Sequence, residues 1–136
     1  MATENSVITL FRRVQLCLVT SGGIPSIAPI ASIAFGDGGG TWGAVPPAFD
    51  IVPPDETQTS LNNQIAVYPI DSVAYPLDPQ TTARYTVTIP SNDLNGEFVS
   101  EAGLLDSNGN LCAIKTFLPI GISGGVAKTF VFDDEF

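Results

Sequence analysis

Apolar residues along this chain recur with two different periods, and the change of period divides it. Near the N-terminus they fall at helical spacing: Val7, Leu10, Phe11, Val14, Cys17 and Leu18, with Arg12, Arg13 and Gln15 on the other side. Ser6 stands where an N-cap belongs, Gly22-Gly23 supplies a C-terminal stop, and Pro25 prevents a restart. The pattern predicts one N-terminal helix, although the Val, Ile and Thr content also allows a strand. Further on the period is two. Tyr85, Val87 and Ile89 share one face of a stretch from Arg84 to Ile89, with Arg84, Thr86 and Thr88 on the other.

Turn residues punctuate the rest. Ile27 to Phe35 reads as a strand edged by Pro29, running into the glycine-rich turn Gly36-Asp37-Gly38-Gly39-Gly40. Residues 41–59, with Pro46, Pro47, Pro53 and Pro54, read as an extended loop, and Thr57 to Gln64 as one or two helical turns. Ile65 to Tyr68 and Ser72 to Tyr75 are short strands bounded by Pro69 and Pro76. Pro90 to Gly96 is a turn, and Gly121 to Gly125 is a loop. Glu97 to Leu105 and Leu111 to Leu118 flank Asp106-Ser107-Asn108-Gly109-Asn110 and form the clearest hairpin, because Asn-Gly supplies positive φ. Thr129 to Phe132 is a last strand before Asp133, Asp134 and Glu135. The expected fold is mainly β with one N-terminal helix (α+β). A compact antiparallel or mixed sheet with long Pro/Gly-rich loops would occupy residues 1–136 as one domain.

Composition narrows the function. A net charge of −9 with five Lys plus Arg speaks against nucleic acid, which needs a clustered basic surface. Arg12-Arg13 is either a small patch for an acidic partner or the solvated side of the helix. Charged residues make up only 14%, so neighbouring subunits are expected to cover part of the surface. No apolar run reaches a membrane span and no secretory leader is evident, which predicts a protein made in the cytoplasm with no membrane partner. Cys17 and Cys112 sit in apolar surroundings and read as buried free thiols.

Candidate chemistry is sparse. The chain has no histidine, hence neither the usual general base nor the commonest metal ligand. Glu97 and Glu101 lie four apart on the same face of a strand and could be imagined as a carboxylate pair, but nothing else suggests a sugar-cleaving cleft. The glycine run lacks the Lys-Ser/Thr ending of a phosphate loop. The Asp106 loop has its glycine at the fourth place of a calcium loop rather than the sixth, and Phe117 at the twelfth, so it reads as a hairpin turn. The expectation is a non-enzyme with no cofactor and no metal.

Three separated motifs carry a resemblance. They are Phe35 through the Gly36–Gly40 turn, then Ser60-Leu61-Asn62-Asn63-Gln64-Ile65, then Gly96 to Asp106 closing with Asn108-Gly109-Asn110-Leu111-Cys112-Ala113. In this order they resemble the tail-collar fibre family, the N-terminal baseplate-attaching domain of phage tail-fibre proteins, over about residues 5–118. The matching positions are Gly36, Asp37, Gly38, Gly39, Gly40, Glu101, Gly103, Leu104, Asp106 and Gly109. Gln64 stands where the family pattern has an acid and Ser100 where it has arginine, so an ion pair there would be absent or replaced by neutral hydrogen bonds. The resemblance implies a structural protein of the virion tail, in the baseplate region. It would dock a tail fibre onto a baseplate protein, or act as a short adaptor to a longer fibre protein. The resemblance also implies a homotrimer, which the low charge density allows, and the expectation that this chain does not carry its own shaft. The alternatives are another baseplate or collar component, and a carbohydrate-binding module using Tyr68, Tyr75 or Trp42.

Two sets of partner-binding residues follow as hypotheses. Trp42 and Phe49 could anchor an interface or pin their own loop. Phe130 and Phe132, in a terminal segment spanning 129–136, could pair with a partner's sheet edge or complete the domain's own sheet.

Overall fold

The computed structural model describes residues 4–43 and 48–136; Pro46 and Pro47 of the expected loop lie outside the described residues. Among the described residues, ten strands and one helix run in the order β1 (Glu4–Ile8), α1 (Leu10–Ser21), β2 (Ile30–Gly36), β3 (Gly40–Trp42), β4 (Phe49–Ile51), β5 (Gln64–Pro69), β6 (Ser72–Ala74), β7 (Thr82–Ile89), β8 (Phe98–Asp106), β9 (Leu111–Gly121) and β10 (Lys128–Glu135). The fold is mainly β with a single helix and antiparallel sheets.

The first element departs from expectation. Ser6 is no helix cap; it lies on β1, which pairs antiparallel with β9 from Glu4↔Phe117 to Ile8↔Ala113. Thr9 is the cap. Its Oγ1 accepts from the Arg12 N–H at 3.4 Å and donates to the Leu111 carbonyl at 2.7 Å, while its own N–H reaches Cys112 O at 3.0 Å. Gly22, in the left-handed region at φ 84°, ends the helix as expected.

The helix also turns its apolar stripe outward. Leu10, Val14 and Leu18 are 44%, 46% and 37% exposed, and Cys17 is exposed too, while Arg12 is buried. Helical spacing identified the stripe but not which side meets the body. That is set by Arg12, which reaches Asp134 on β10 at 2.6 Å. Of the two thiols, only Cys112 is buried.

A five-stranded sheet, in the order β1-β9-β8-β2-β5, packs on a three-stranded one, β10-β7-β6. Between them lie Ile33 and Phe35 of β2, Leu104 of β8 and Phe117 of β9, against Tyr85, Val87 and Ile89 of β7 and Phe132 of β10. The period-two reading of β7 placed the right face inward. Each large side chain buried here contributes about 1.5–3 kcal/mol. The second face of the larger sheet is covered as well: Leu61, from the loop before β5, packs with Ala34, Leu111 and Ile114. β8 is therefore buried on both faces, which is why six successive residues, Val99 to Leu104, are buried.

The β8–β9 hairpin forms where its turn chemistry put it. Asp106 Oδ1 accepts from the N–H groups of Asn108 and Asn110, each at 2.9 Å, and Gly109 takes φ 84°. Two loop expectations fail. Part of the 41–59 stretch is a hairpin, because β3 and β4 pair from Gly40↔Ile51 to Trp42↔Phe49 ahead of Pro53 and Pro54. Residues 57–63 are not helical: a turn at 56–57 leads into bends at 59–60 and 62–63, with Asp55 Oδ1 holding the Thr57 N–H and hydroxyl, each at 2.8 Å. The last strand is longer than read: Asp133 to Glu135 continue pairing with β7, ending at Glu135↔Thr82.

Candidate docking site

The three motifs meet at one buried carboxyl group. Glu101 is fully buried on β8, beside a register shift between Val99 and Glu101 that lets the strand bend there. Its Oε2 accepts from the backbone N–H groups of Gly38 and Asn63, and its Oε1 from that of Asn62, each at 2.8 Å. One side chain thus fixes both the glycine turn and the Asn62-Asn63 segment. These segments also bind each other, through Asn62 Nδ2 to Gly38 O at 2.9 Å and Asn63 Nδ2 to Asp37 Oδ1.

Ser100 accepts the Gly39 N–H on its Oγ at 2.9 Å. Gln64 opens β5 opposite Gly36, with its side chain exposed. The hydrogen bonds to Glu101 described above thus all come from backbone N–H groups. The glycines are needed for close approach: a Cβ on Gly39 would collide with the Ser100 carbonyl, and one on Gly38 would lie 2.7 Å from Glu101 Oε2. Gly103 leaves room for Leu61 and Leu111 on the covered face, and Leu104 points into the main core.

This frame carries an aromatic patch. Gly40 leads directly into β3, so the position of Trp42 follows from the turn. Trp42 meets Phe49 edge-on with centroids 5.1 Å apart, and Phe98 at 5.8 Å. Trp42 is 54% exposed and Phe98 50%. The three rings border a cleft of about 280 Å³ together with Asp37, Glu97, Ser100 and Pro119. Glu97 and Glu101 form no pair: Glu97 is exposed at the cleft and Glu101 is buried behind it. Phe98 escaped the sequence reading, yet the signal was present, since Phe98 and Val99 begin a strand and must face opposite ways.

The other predicted partner residues lie elsewhere. Phe130 meets Phe35 in a tilted contact with centroids 4.9 Å apart, and Phe132 is buried beneath Lys115, whose Nζ sits 4.9 Å from the ring centre. Both serve this chain's own core. Tyr68 is half-buried, donating its hydroxyl to Asp93 at 2.9 Å, and burial together with that carboxylate pushes its pKa up to about 12. Tyr75 lies exposed beside a different cleft, so Tyr68, Tyr75 and Trp42 are dispersed.

Ion pairs tie the helix and β10 to the body. Arg84 forks onto Asp133 at 2.8 and 3.0 Å, holding that carboxyl below its usual range. Asp134 is pushed the other way, because burial outweighs the help of Arg12; their contact is close but poorly aligned as a hydrogen bond. Burial also raises the Cys112 thiol to about 11, making it a poor nucleophile. No three His, Cys, Asp or Glu side chains group as metal ligands among the described residues. No family model, curated protein or solved structure matches the chain.

Proposed function

We propose that this chain is a structural docking module of a phage-type tail. It would join a tail fibre to a baseplate protein, or act as a short adaptor to a longer fibre protein. The observation that carries the reading is the Glu101 node: the three motifs behind the family resemblance converge on one carboxyl group. A buried carboxyl spent on three backbone donors fixes a surface rather than performing chemistry. The surface it fixes bears Trp42 and Phe98, each about half exposed, with Phe49 bracing Trp42. Large aromatic rings held rigidly at low entropy cost are what protein interfaces use as anchors, worth about 2 kcal/mol or more each.

Immunogold electron microscopy of tailed particles from a producing culture tests this. Label at the baseplate rim, where fibres leave, is expected. Unlabelled particles with verified epitope access would overturn it. Adding the purified chain back to particles lacking it extends the test: Trp42→Ala should fail to attach while keeping the wild-type melting temperature. A second reading rests on the same cleft, since aromatic faces beside Asp37 and Glu97 also suit a sugar ring. Saturable binding in a glycan screen, lost in Trp42→Ala, would favour that carbohydrate-binding reading instead.

A further inference from the structure

The sandwich is closed along one side and open along the other. On the closed side the chain passes directly from β5 to β6, with the Ile70 N–H on Ala31 O at 3.1 Å and the Asp71 N–H on Thr86 O at 2.8 Å. On the open side β10 is the edge strand. It pairs with β7 along its whole length, from Lys128↔Ile89 to Glu135↔Thr82, and no strand among the described residues pairs with its second side. A free edge of eight residues is a standing template for another main chain.

Two clefts run end to end along this seam, sharing Lys115 and Phe132 as walls. One, of about 220 Å³, is apolar: Phe117, Leu118 and Ile120 of β9 face Phe130 and Val131 of β10 across it. Leu118 and Val131 are 43% and 49% exposed. The other, of about 440 Å³, is polar and leads past Ser6 to Asp133 and Glu135.

We propose that this seam receives an extended segment of a different polypeptide, which adds to β10 as a further strand of the smaller sheet. Alternate apolar side chains of that segment enter the Phe117–Leu118–Val131 cleft, and a basic residue lies at the Glu135 end, since Arg84 already holds Asp133. Main-chain groups along β10 supply the affinity, and the cleft supplies the side-chain selection. Only another main chain meets a row of N–H and C=O groups in register, which excludes a lipid or a small apolar molecule. Charge disfavours a second copy, since each chain carries −9, and favours a basic segment. The seam shares no lining residue with the Trp42 cleft, and the inference does not depend on the tail reading.

The test selects a displayed library of random peptides of about ten residues, a strand's length, on the intact chain. Enriched peptides are expected to alternate apolar and polar residues with a basic end, and to slow amide exchange across 128–135. Leu118→Glu and Val131→Glu both alter exposed side chains. Each should keep the melting temperature and weaken the selected peptides about ten-fold or more. If one variant unfolds, the other serves. Peptides that bind without protecting 128–135, or equally to both folded variants, would overturn the proposal. So would an empty selection. Protection of 128–135 that depends on protein concentration without peptide would assign the seam to a second copy and overturn it equally.

Discussion

Glu101 reaches three donors that come from segments 38 to 63 residues away in sequence, so its replacement is felt well beyond its own strand. In Glu101→Gln the amide keeps one acceptor oxygen and turns an NH₂ group against a backbone N–H. A buried donor left facing a donor, together with the loss of a charged acceptor, should destabilise the fold by about 3 kcal/mol in urea unfolding. A loss below about 1 kcal/mol would mean the node is dispensable. Asp133 and Asp134 offer a sharper contrast, because adjacent carboxyls are shifted in opposite directions. The lowered pKa of Asp133 contributes stability above the unfolded value of 3.8, lost as pH falls through the folded one. Asp134 is raised, so its contribution is complete in acid and is lost as pH climbs from 3.8 through the folded value. Relative to wild type, Asp133→Asn should therefore grow less stable as pH rises from 3 to 7, and Asp134→Asn more stable, in unfolding curves taken across that range. Slopes of the same sign would contradict the environments described.

At the scale of elements, what the sequence revealed depended on how local the cause was. The β8–β9 hairpin and the inward face of β7 were legible because turn chemistry and period-two alternation lie within the segment itself. The helix was legible as a helix, but its orientation was not. Leu10, Val14 and Leu18 read as a buried stripe, yet the face turned inward is chosen by an ion pair to Asp134, more than a hundred residues away. Ser6 lost its capping role to a strand partner equally remote, β9. The site was half legible. The motif glycines and Glu101 could be singled out in the chain, whereas their convergence and the joining of Phe98 to Trp42 require the tertiary fold. The outward stripe makes a plain prediction. Val14→Glu should change stability by no more than about 0.5 kcal/mol, as at other exposed positions. An equivalent change at Ile114, fully buried on the covered face, should prevent folding. Unfolding of Val14→Glu in an otherwise monomeric sample would show that the stripe is covered.

Across the whole molecule, most contacts join distant parts of the chain. β1 closes on β9, β2 lies between β8 and β5, and β10 returns to β7. The Glu101 node has the same character, and its direction matters. A ribosome delivers the glycine turn, Trp42 and the Asn62-Asn63 segment first, and the carboxyl group that joins the two segments to β8 arrives only when the residue at position 101 emerges. A chain released at residue 97 should therefore remain unfolded by circular dichroism, with Trp42 fluorescing as in urea. The exposed aromatic patch is in effect a certificate of completion, since an interrupted or damaged chain has no frame on which to display it. An assembly that docks through this patch would admit finished subunits and leave fragments in solution, with no separate proofreading step.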